Sequence, residues 1–272
     1  MSNRFQLEAS AVEAYEAQKV TSIFAPLAEA TLEQVHVSES DRVLDVACGT
    51  GIVARTLNKQ YPWAIDVAGV DLNEMMIEKA RAMTNGLAGR FEWYVSDASS
   101  IPVEDASFSI VFCQQALQYF PDDAAALSEM RRVLLPDGRL ALSLWAPAND
   151  YFLAQAEALK KHVSIDAATK ALAPFSYPGE ERVPDLLTKL GFKNIQSSIL
   201  IVDRVIPNAA DGIREDILGS PLGPLVKQKG RLAMDAVVQE IIGTCSGYIA
   251  DGNLVIAQHS NLFQATLRPK SV

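Results

Sequence analysis

From Arg42 to Leu144 the chain alternates short β-branched runs with helical segments, and this rhythm restricts it to βαβ units feeding a mostly parallel sheet. Strands are expected at 43–46, 65–70, 91–95, 109–113 and 139–144. Helices are expected near 52–60, 74–84 and 122–134. The last of these runs into Leu135-Pro136-Asp137-Gly138, a stop signal whose glycine suits a tight turn.

Before this rhythm, residues 10–34 carry Val12, Tyr15, Val20, Ile23, Phe24 and Leu27 at mixed three- and four-residue spacing, the pattern of an amphipathic helical arm. After Trp145 a mostly helical stretch runs to about Leu190, where Gly191 suits a helix cap. A sixth strand is expected at 195–202. An insertion at 207–247 follows, with the loop Gly219-Ser-Pro-Leu-Gly-Pro224 before a long helix, and a β-like run at 254–267 closes the sheet. This gives one domain over 1–272. Its parts are an arm at 1–40, a core at 41–147, helical insertions at 148–190 and 207–247, and closing strands at 191–206 and 254–268.

Composition agrees with a single globular enzyme. The chain has 272 residues, and the 49% that are apolar are spread throughout, enough to bury a large core. A net charge of −9 without a Lys/Arg stripe argues against a nucleic-acid partner, since such binders concentrate cations to displace counterions. Residues 1–18 lack the basic start and apolar centre of a signal peptide, and no apolar run approaches the length of a membrane span. The expectation is a cytoplasmic protein. Three cysteines, Cys48, Cys113 and Cys245, are odd in number and widely spaced, so neither a disulfide framework nor a metal site is expected.

In an open α/β sheet, ligands bind beyond the carboxyl ends of the strands. The first strand ends in Val-Leu-Asp-Val-Ala-Cys-Gly-Thr-Gly over 43–51, where Gly49 and Gly51 permit positive φ and close approach of a ligand. Asp71 ends the second strand, where a carboxylate can accept from both hydroxyls of a ribose. Up to this point a nicotinamide dinucleotide enzyme fits too, because Gly49-Thr-Gly51-Ile-Val-Ala54 satisfies the relaxed dinucleotide fingerprint. A Tyr-x-x-x-Lys pair at Tyr15 and Lys19 precedes the nucleotide fold, which is not where a reductase would place it. The third strand ends in Val95-Ser96-Asp97-Ala98, a carboxylate for an exocyclic adenine amine followed by a backbone N–H for a ring nitrogen. The fourth ends in Cys113-Gln114-Gln115, whose amides suit the zwitterionic end of an amino acid. Taken one at a time, Asp45 and Asp97 also read as helix caps, and Met76 as core.

These motifs together resemble the class I S-adenosylmethionine-dependent methyltransferases of the ubiquinone and menaquinone biosynthesis type. The matching stretches are 41–51, Gly69-Val-Asp-Leu-Asn-Glu-Met-Met76, Ser96-Asp97-Ala98, 108–121 and 130–145. The resemblance implies a Rossmann-like α/β fold: a seven-stranded, mostly parallel sheet with helices on both faces, a helical N-terminal arm and helical lid insertions. It implies S-adenosylmethionine as cofactor and S-adenosylhomocysteine as product. Asp45 with Ala47, Cys48, Gly49 and Gly51 would hold the methionyl portion, and Asp71 the ribose. Leu72 and Met76 would cover the faces of adenine, Asp97 and Ala98 would read its edge, and Gln114 would anchor the amino-acid end. One departure is Ala47, where many relatives carry glycine; the added methyl group calls for a small adjustment with binding retained.

Methyl transfer from a sulfonium is an in-line displacement, so the protein mainly aligns the reactants and needs a base only for an acceptor that must lose a proton. His162, in the insertion that resembles a substrate lid, is the candidate for that base, against the more ordinary reading of a surface or packing histidine. Tyr15, Gln115 and Tyr151 are candidates to face the acceptor. The apolar insertions, with Phe152, Leu153, Phe175 and Leu222 among others, favour an uncharged or partly hydrophobic small molecule. Two rivals stay open: a module that binds S-adenosylmethionine without transferring methyl or that assists an isomerisation, and a nicotinamide-dependent oxidoreductase.

Overall fold

A computed structural model describes residues 9–62 and 65–268. The beginning of the N-terminal stretch read above, residues 1–8, lies outside the described residues.

The arm starts as helix α1 (Ala9–Ala14), continues as ten residues of π-helix (Tyr15–Phe24) and returns to α-helical form in α2 (Ala25–Gln34). Val12, Val20, Ile23 and Leu27 are buried, as the apolar spacing requires. The π segment is not visible in that spacing and has a structural effect. At 3.6 residues per turn Tyr15 and Phe24 would point to opposite sides. The wider turn brings their rings into a stack with centroids 5.5 Å apart.

The core then follows the expected alternation: β1 (Arg42–Val46), α3 (Ile52–Gln60), β2 (Asp66–Asp71), α4 (Glu74–Thr84), β3 (Arg90–Val95), β4 (Phe108–Gln114), α5 (Asp123–Val133) and β5 (Leu134–Trp145). Side-chain caps explain two of these helix starts. Asn73 accepts the Met75 N–H ahead of α4, and Asp122 accepts the Ala125 N–H ahead of α5. The expected stop at 135–138 lies within β5 instead. Leu134 pairs with Phe108 and the next pair is Ile110 with Arg139, so the four residues between are looped out as a bulge.

Beyond β5 come α6 (Asp150–His162), α7 (Ile165–Leu172), α8 (Gly179–Lys189), β6 (Phe192–Ile206), α9 (Ala209–Leu218), α10 (Gly223–Lys229), α11 (Arg231–Thr244), β7 (Ile249–Ala250) and β8 (Asn253–Leu267). Gly191 adopts φ +81°, in keeping with the cap expected there. The single long helix expected after Pro224 is broken at Gly230, whose φ of +89° separates α10 from α11.

The strands form a Rossmann-like sheet in the order β3-β2-β1-β4-β5-β8-β6, with the short β7 paired antiparallel to β8. The pairs β1–β2, β2–β3, β1–β4 and β4–β5 are parallel. Strand order reverses between β1 and β4, which puts the ligand crevice of an open sheet at their carboxyl ends. The opposite ends are tied by Asp41, which accepts from the Ser38 N–H (2.7 Å), Ser109 Oγ (2.6 Å) and Arg139 Nη2 (2.6 Å). Burial by itself would raise this carboxyl, but the bonds from Arg139, Ser109 and Ser38 outweigh it and hold it below the usual range.

Packing divides the chain into two units. The first holds the arm, β1 to β5 up to Leu144, α3 to α5, α8, β6 as far as Leu200, and β8 from Ser260. Helix α8, expected within the 148–190 insertion, therefore packs with the core, where Arg182 Nη2 reaches Asp123 Oδ1 at 2.6 Å. The second unit holds α6, α7, α9 to α11, β7 and the remaining parts of β6 and β8. Its own core includes Leu159, Ile213, Val226, Val237 and Ile241, with α6 packed on α7 and α11. Among the described residues no helix is long and apolar enough to cross a membrane.

Candidate cofactor site

The site is built in the first unit from the residues that follow β1. Ala47, Gly49 and Gly51 have φ of +56°, +54° and +78°, so alternate residues of the turn are left-handed. Ala47 occupies one of these positions without glycine's freedom, at a cost of about 1 kcal/mol. The turn is held from several sides. Cys48 N–H donates to Val70 O at 3.0 Å, and Gly49 N–H to Asp71 Oδ2 at 2.9 Å. A Cβ on Gly49 would meet the Tyr15 hydroxyl at 3.6 Å, so the arm lays this phenol over the turn. Burial first, and the negative charge of Asp71 second, push the Tyr15 hydroxyl well above its ordinary range. It stays protonated and can donate a hydrogen bond.

Asp45 lies within β1 with 1% exposure, and among the described residues neither carboxylate oxygen has a hydrogen-bond partner. Burial, then the charge of Asp71, raise its carboxyl well above the usual range. A cation placed beside it would relieve both effects. Asp71 spans the gap between the turn and α4: Oδ2 accepts from Gly49 and Oδ1 from the Asn73 N–H at 2.9 Å. The Leu72 N–H bonds this carboxylate as well, and a remaining lone pair can take a further donor such as a ribose hydroxyl. Leu72 next to it is 49% exposed and Val95 at the end of β3 is 46% exposed, while Met76 is buried. Two apolar side chains left open beside two strand ends suit the faces of an aromatic ring.

Asp97 is exposed, and its Oδ1 accepts from Ser99 N–H (2.8 Å) and Ser99 Oγ (2.7 Å). It thus shapes the loop after β3 as a turn residue; no helix follows, so it is not the helix cap that was its alternative reading, and Oδ2 is the oxygen open to an exocyclic amine. Ala98 is half-buried beside it. After β4, Gln114 donates through Nε2 to Phe24 O in the arm at 3.2 Å. Its Oε1 is buried and, among the described residues, unpartnered.

Gln115 is more unusual. It has φ +57°, is 5% exposed, and has no partner for either amide atom among the described residues. Two unpaired buried amide atoms cost about 1–3 kcal/mol each, and the left-handed backbone about 1 kcal/mol more. Thr50 Oγ1, Gln118 Oε1 and Ser143 Oγ are likewise buried and unpartnered among the described residues. Buried polar atoms without partners are rare in a ligand-free fold; most of those among the described residues lie at the carboxyl ends of β1, β4 and β5, and the others are on Glu16, Arg55, Arg204 and Ser260. Sequence reasoning overlooked Thr50, although it lies inside the glycine turn. It also overlooked Gln118, in the Gln-x-x-Gln after β4, and Ser143, which sits inside the apolar run of β5 with no motif to mark it.

Two further candidates belong to the second unit. Tyr151, expected to face the acceptor, is 0% exposed: its hydroxyl donates to Asp216 Oδ2 at 3.0 Å, and the Arg204 guanidinium lies 5.8 Å from the centre of its ring. It is a core residue, because the aromatic ring and its satisfied hydroxyl complete a buried ion pair. His162 Nε2 is 2.7 Å from Glu240 Oε2, which also takes Lys161 Nζ at 2.8 Å. This cluster ties α6 to α11, and bonds from Lys161 and His162 keep the Glu240 carboxyl below its ordinary range. The ring nitrogen is engaged by the Glu240 carboxylate rather than open to a reactant.

The strand order around β1, the glycine turn, and the carboxylates at the ends of β1 and β2 are the features expected of a class I S-adenosylmethionine-dependent methyltransferase. Comparison with known proteins agrees. The "Methyltransferase domain" family matches residues 43–138. A ubiquinone/menaquinone biosynthesis C-methyltransferase of Geotalea uraniireducens is 32% identical over 178 residues, 61% of this chain and 76% of that protein. A demethylmenaquinone methyltransferase of Deinococcus radiodurans is 36% identical over 166 residues, 56% of this chain and 68% of the other. The chain belongs to the S-adenosylmethionine-dependent methyltransferase family that these two enzymes represent. The same fold occurs in phosphoethanolamine N-methyltransferase 2 of Haemonchus contortus, solved with phosphomonomethylethanolamine and S-adenosylhomocysteine. That match has a TM-score of 0.63 at 22% identity, covering 98% of this chain and 59% of that one.

Proposed function

We propose that the chain transfers methyl from S-adenosylmethionine to a small, uncharged or partly hydrophobic molecule by in-line displacement. The observation that carries this reading is the set of unpaired buried polar atoms at the carboxyl ends of β1, β4 and β5. Within that set Asp45 is the charged member, which suits a cationic donor. Gln115, Gln118 and Ser143 are neutral, which suits an acceptor recognised without ion pairing. The names of the two relatives, in ubiquinone and menaquinone biosynthesis, agree with a largely apolar acceptor.

S-adenosylmethionine supplies an activated methyl group on a positively charged sulfur. The roles we assign to the protein are binding and alignment. Asp45 and the Ala47, Cys48, Gly49 and Gly51 turn hold the methionyl portion, with Gln114 at its amino-acid end. Asp71 accepts from the ribose, Leu72 and Met76 flank adenine, and Asp97 with the Ala98 N–H reads its edge. Tyr15, with its phenol kept protonated over the turn, and Gln115 stand on the acceptor side. Holding reactants in line is the main protein contribution to such a displacement.

Calorimetry with S-adenosylmethionine, S-adenosylhomocysteine and a nicotinamide dinucleotide, followed by transfer from methyl-labelled cofactor into small molecules of a cell extract, tests this reading. Tight binding of the dinucleotide alone would replace it with an oxidoreductase. Cofactor binding with persistent absence of label in any small molecule would leave a binding module.

A further inference from the structure

The backbone of Gln115 is fully engaged while its side chain is not. Its N–H donates to Ser143 O at 2.9 Å, and its carbonyl accepts from Gln118 Nε2 at 3.2 Å. These bonds fix the residue in a left-handed conformation that disfavours a long side chain. The amide they position is buried, in a residue only 5% exposed, and it has no partner among the described residues. Gln118 Oε1 and Ser143 Oγ, on the two residues that hold it, are also buried and unpartnered among the described residues. An amide kept unsatisfied by a strained backbone destabilises the ligand-free fold, and such strain persists where a ligand repays it.

The chemistry of the cluster narrows that ligand. One amide offers both a donor and an acceptor, the second amide oxygen and the serine hydroxyl add neutral partners, and none carries charge. None of the three side chains offers a charge to pair with a carboxylate, a phosphate or a cation. We infer that Gln115 is a specificity-determining residue that reads a neutral hydroxyl or carbonyl edge of the methyl acceptor. The inference rests on the transferase reading above. It adds that the acceptor carries such a group and that Gln115, rather than an ionisable residue, selects it.

The test uses the full chain and the variants Gln115→Leu and Gln115→Met, which keep most of the volume and remove the amide. Three quantities are measured: Tm without ligand, the Kd of S-adenosylhomocysteine by calorimetry, and transfer from methyl-tritiated S-adenosylmethionine into organic-extractable small molecules of a bacterial extract. Tm is expected to rise by about 2–4 °C, because buried unsatisfied atoms are removed. The Kd is expected to stay within about threefold of wild type, and label transfer to fall about tenfold or more, as loss of one hydrogen-bonded recognition contact implies. A lower Tm would make Gln115 structural and overturn the inference. A Kd weakened about tenfold or more would assign it to the cofactor, and undiminished transfer would remove it from acceptor recognition. If wild type itself transfers no label, the transferase reading fails separately; a raised Tm with unchanged Kd still assigns Gln115 to a second ligand, and any other result does not.

Discussion

The indole of Trp93 fills the space that a side chain on Gly51 would need: a Cβ there would stand 2.6 Å from Cη2 of the ring. The same ring lies 2.3 Å from where a Cβ on Gly69 would be, and its Nε1 donates to Thr84 Oγ1 at 3.3 Å. The glycine turn after β1 is thus wedged against β2 and β3 by one aromatic residue. Its shape is set by packing before any ligand arrives.

Gly51→Ala must both adopt φ +78° and displace the indole. We expect a loss of about 2–4 kcal/mol in urea denaturation and weaker S-adenosylhomocysteine binding. Ala47→Gly is the converse case, a left-handed position gaining the residue that tolerates it. It should add up to about 1 kcal/mol with affinity unchanged or better. Equal stability of wild type and Gly51→Ala would show that Trp93 does not lock the turn.

Asp45 carries a pH signature. Its folded pKa stands above its unfolded one through burial and the charge of Asp71, and Asp71 is itself raised by burial. Between the unfolded value of about 4 and the raised folded value the native state holds more protons, so stability of the ligand-free protein falls as pH rises through that window. A cationic ligand draws the proton off, so binding of S-adenosylmethionine should release protons and tighten with rising pH. Calorimetry in two buffers of different ionisation enthalpy measures the release. Asp45→Asn should abolish it, stabilise the free protein and weaken binding; an unchanged proton count in that variant would assign the effect elsewhere.

In the second unit, Arg204 is 3% exposed and its Nη2 donates to Asp216 Oδ1 at 2.6 Å. Arg204→Met leaves the Asp216 charge in the core with Tyr151, at a cost of about 3–5 kcal/mol. Arg204→Met with Asp216→Leu should recover most of that loss, since both charges are then gone. The midpoint of denaturant unfolding of this unit reads the difference. A double variant no more stable than the single one would point to repacking rather than charge as the cause.

His162→Gln removes one of the two side chains that contact Glu240 and leaves Lys161 in place. Surface pairs of this kind contribute little, so stability should change by less than about 1 kcal/mol. Label transfer should remain close to wild type. A drop in kcat of about 100-fold with KM and Tm unchanged would restore the reading of this ring as a catalytic base.

Features with local causes were legible in the sequence. Helix α4 follows its predicted span of 74–84 because Asn73 caps it, and α3 begins where Gly51 turns the chain. Asp71 stands at a strand end because β-branched residues before it build β2. The family resemblance rested on the same local motifs.

What tertiary structure decided concerns residues whose partners are distant in sequence. Tyr151 was expected beside an acceptor and lies in a core, because Asp216 and Arg204, more than fifty residues away, close around it. Bulging of 135–138 depends on Leu134 finding Phe108, and the role of Trp93 on two glycines brought against it. The sequence of β4 placed two glutamines at a strand end. Only the folded chain made Gln114 a tie to the arm and Gln115 an unsatisfied amide, because hydrogen-bond satisfaction is a property of the enclosure and not of the residue.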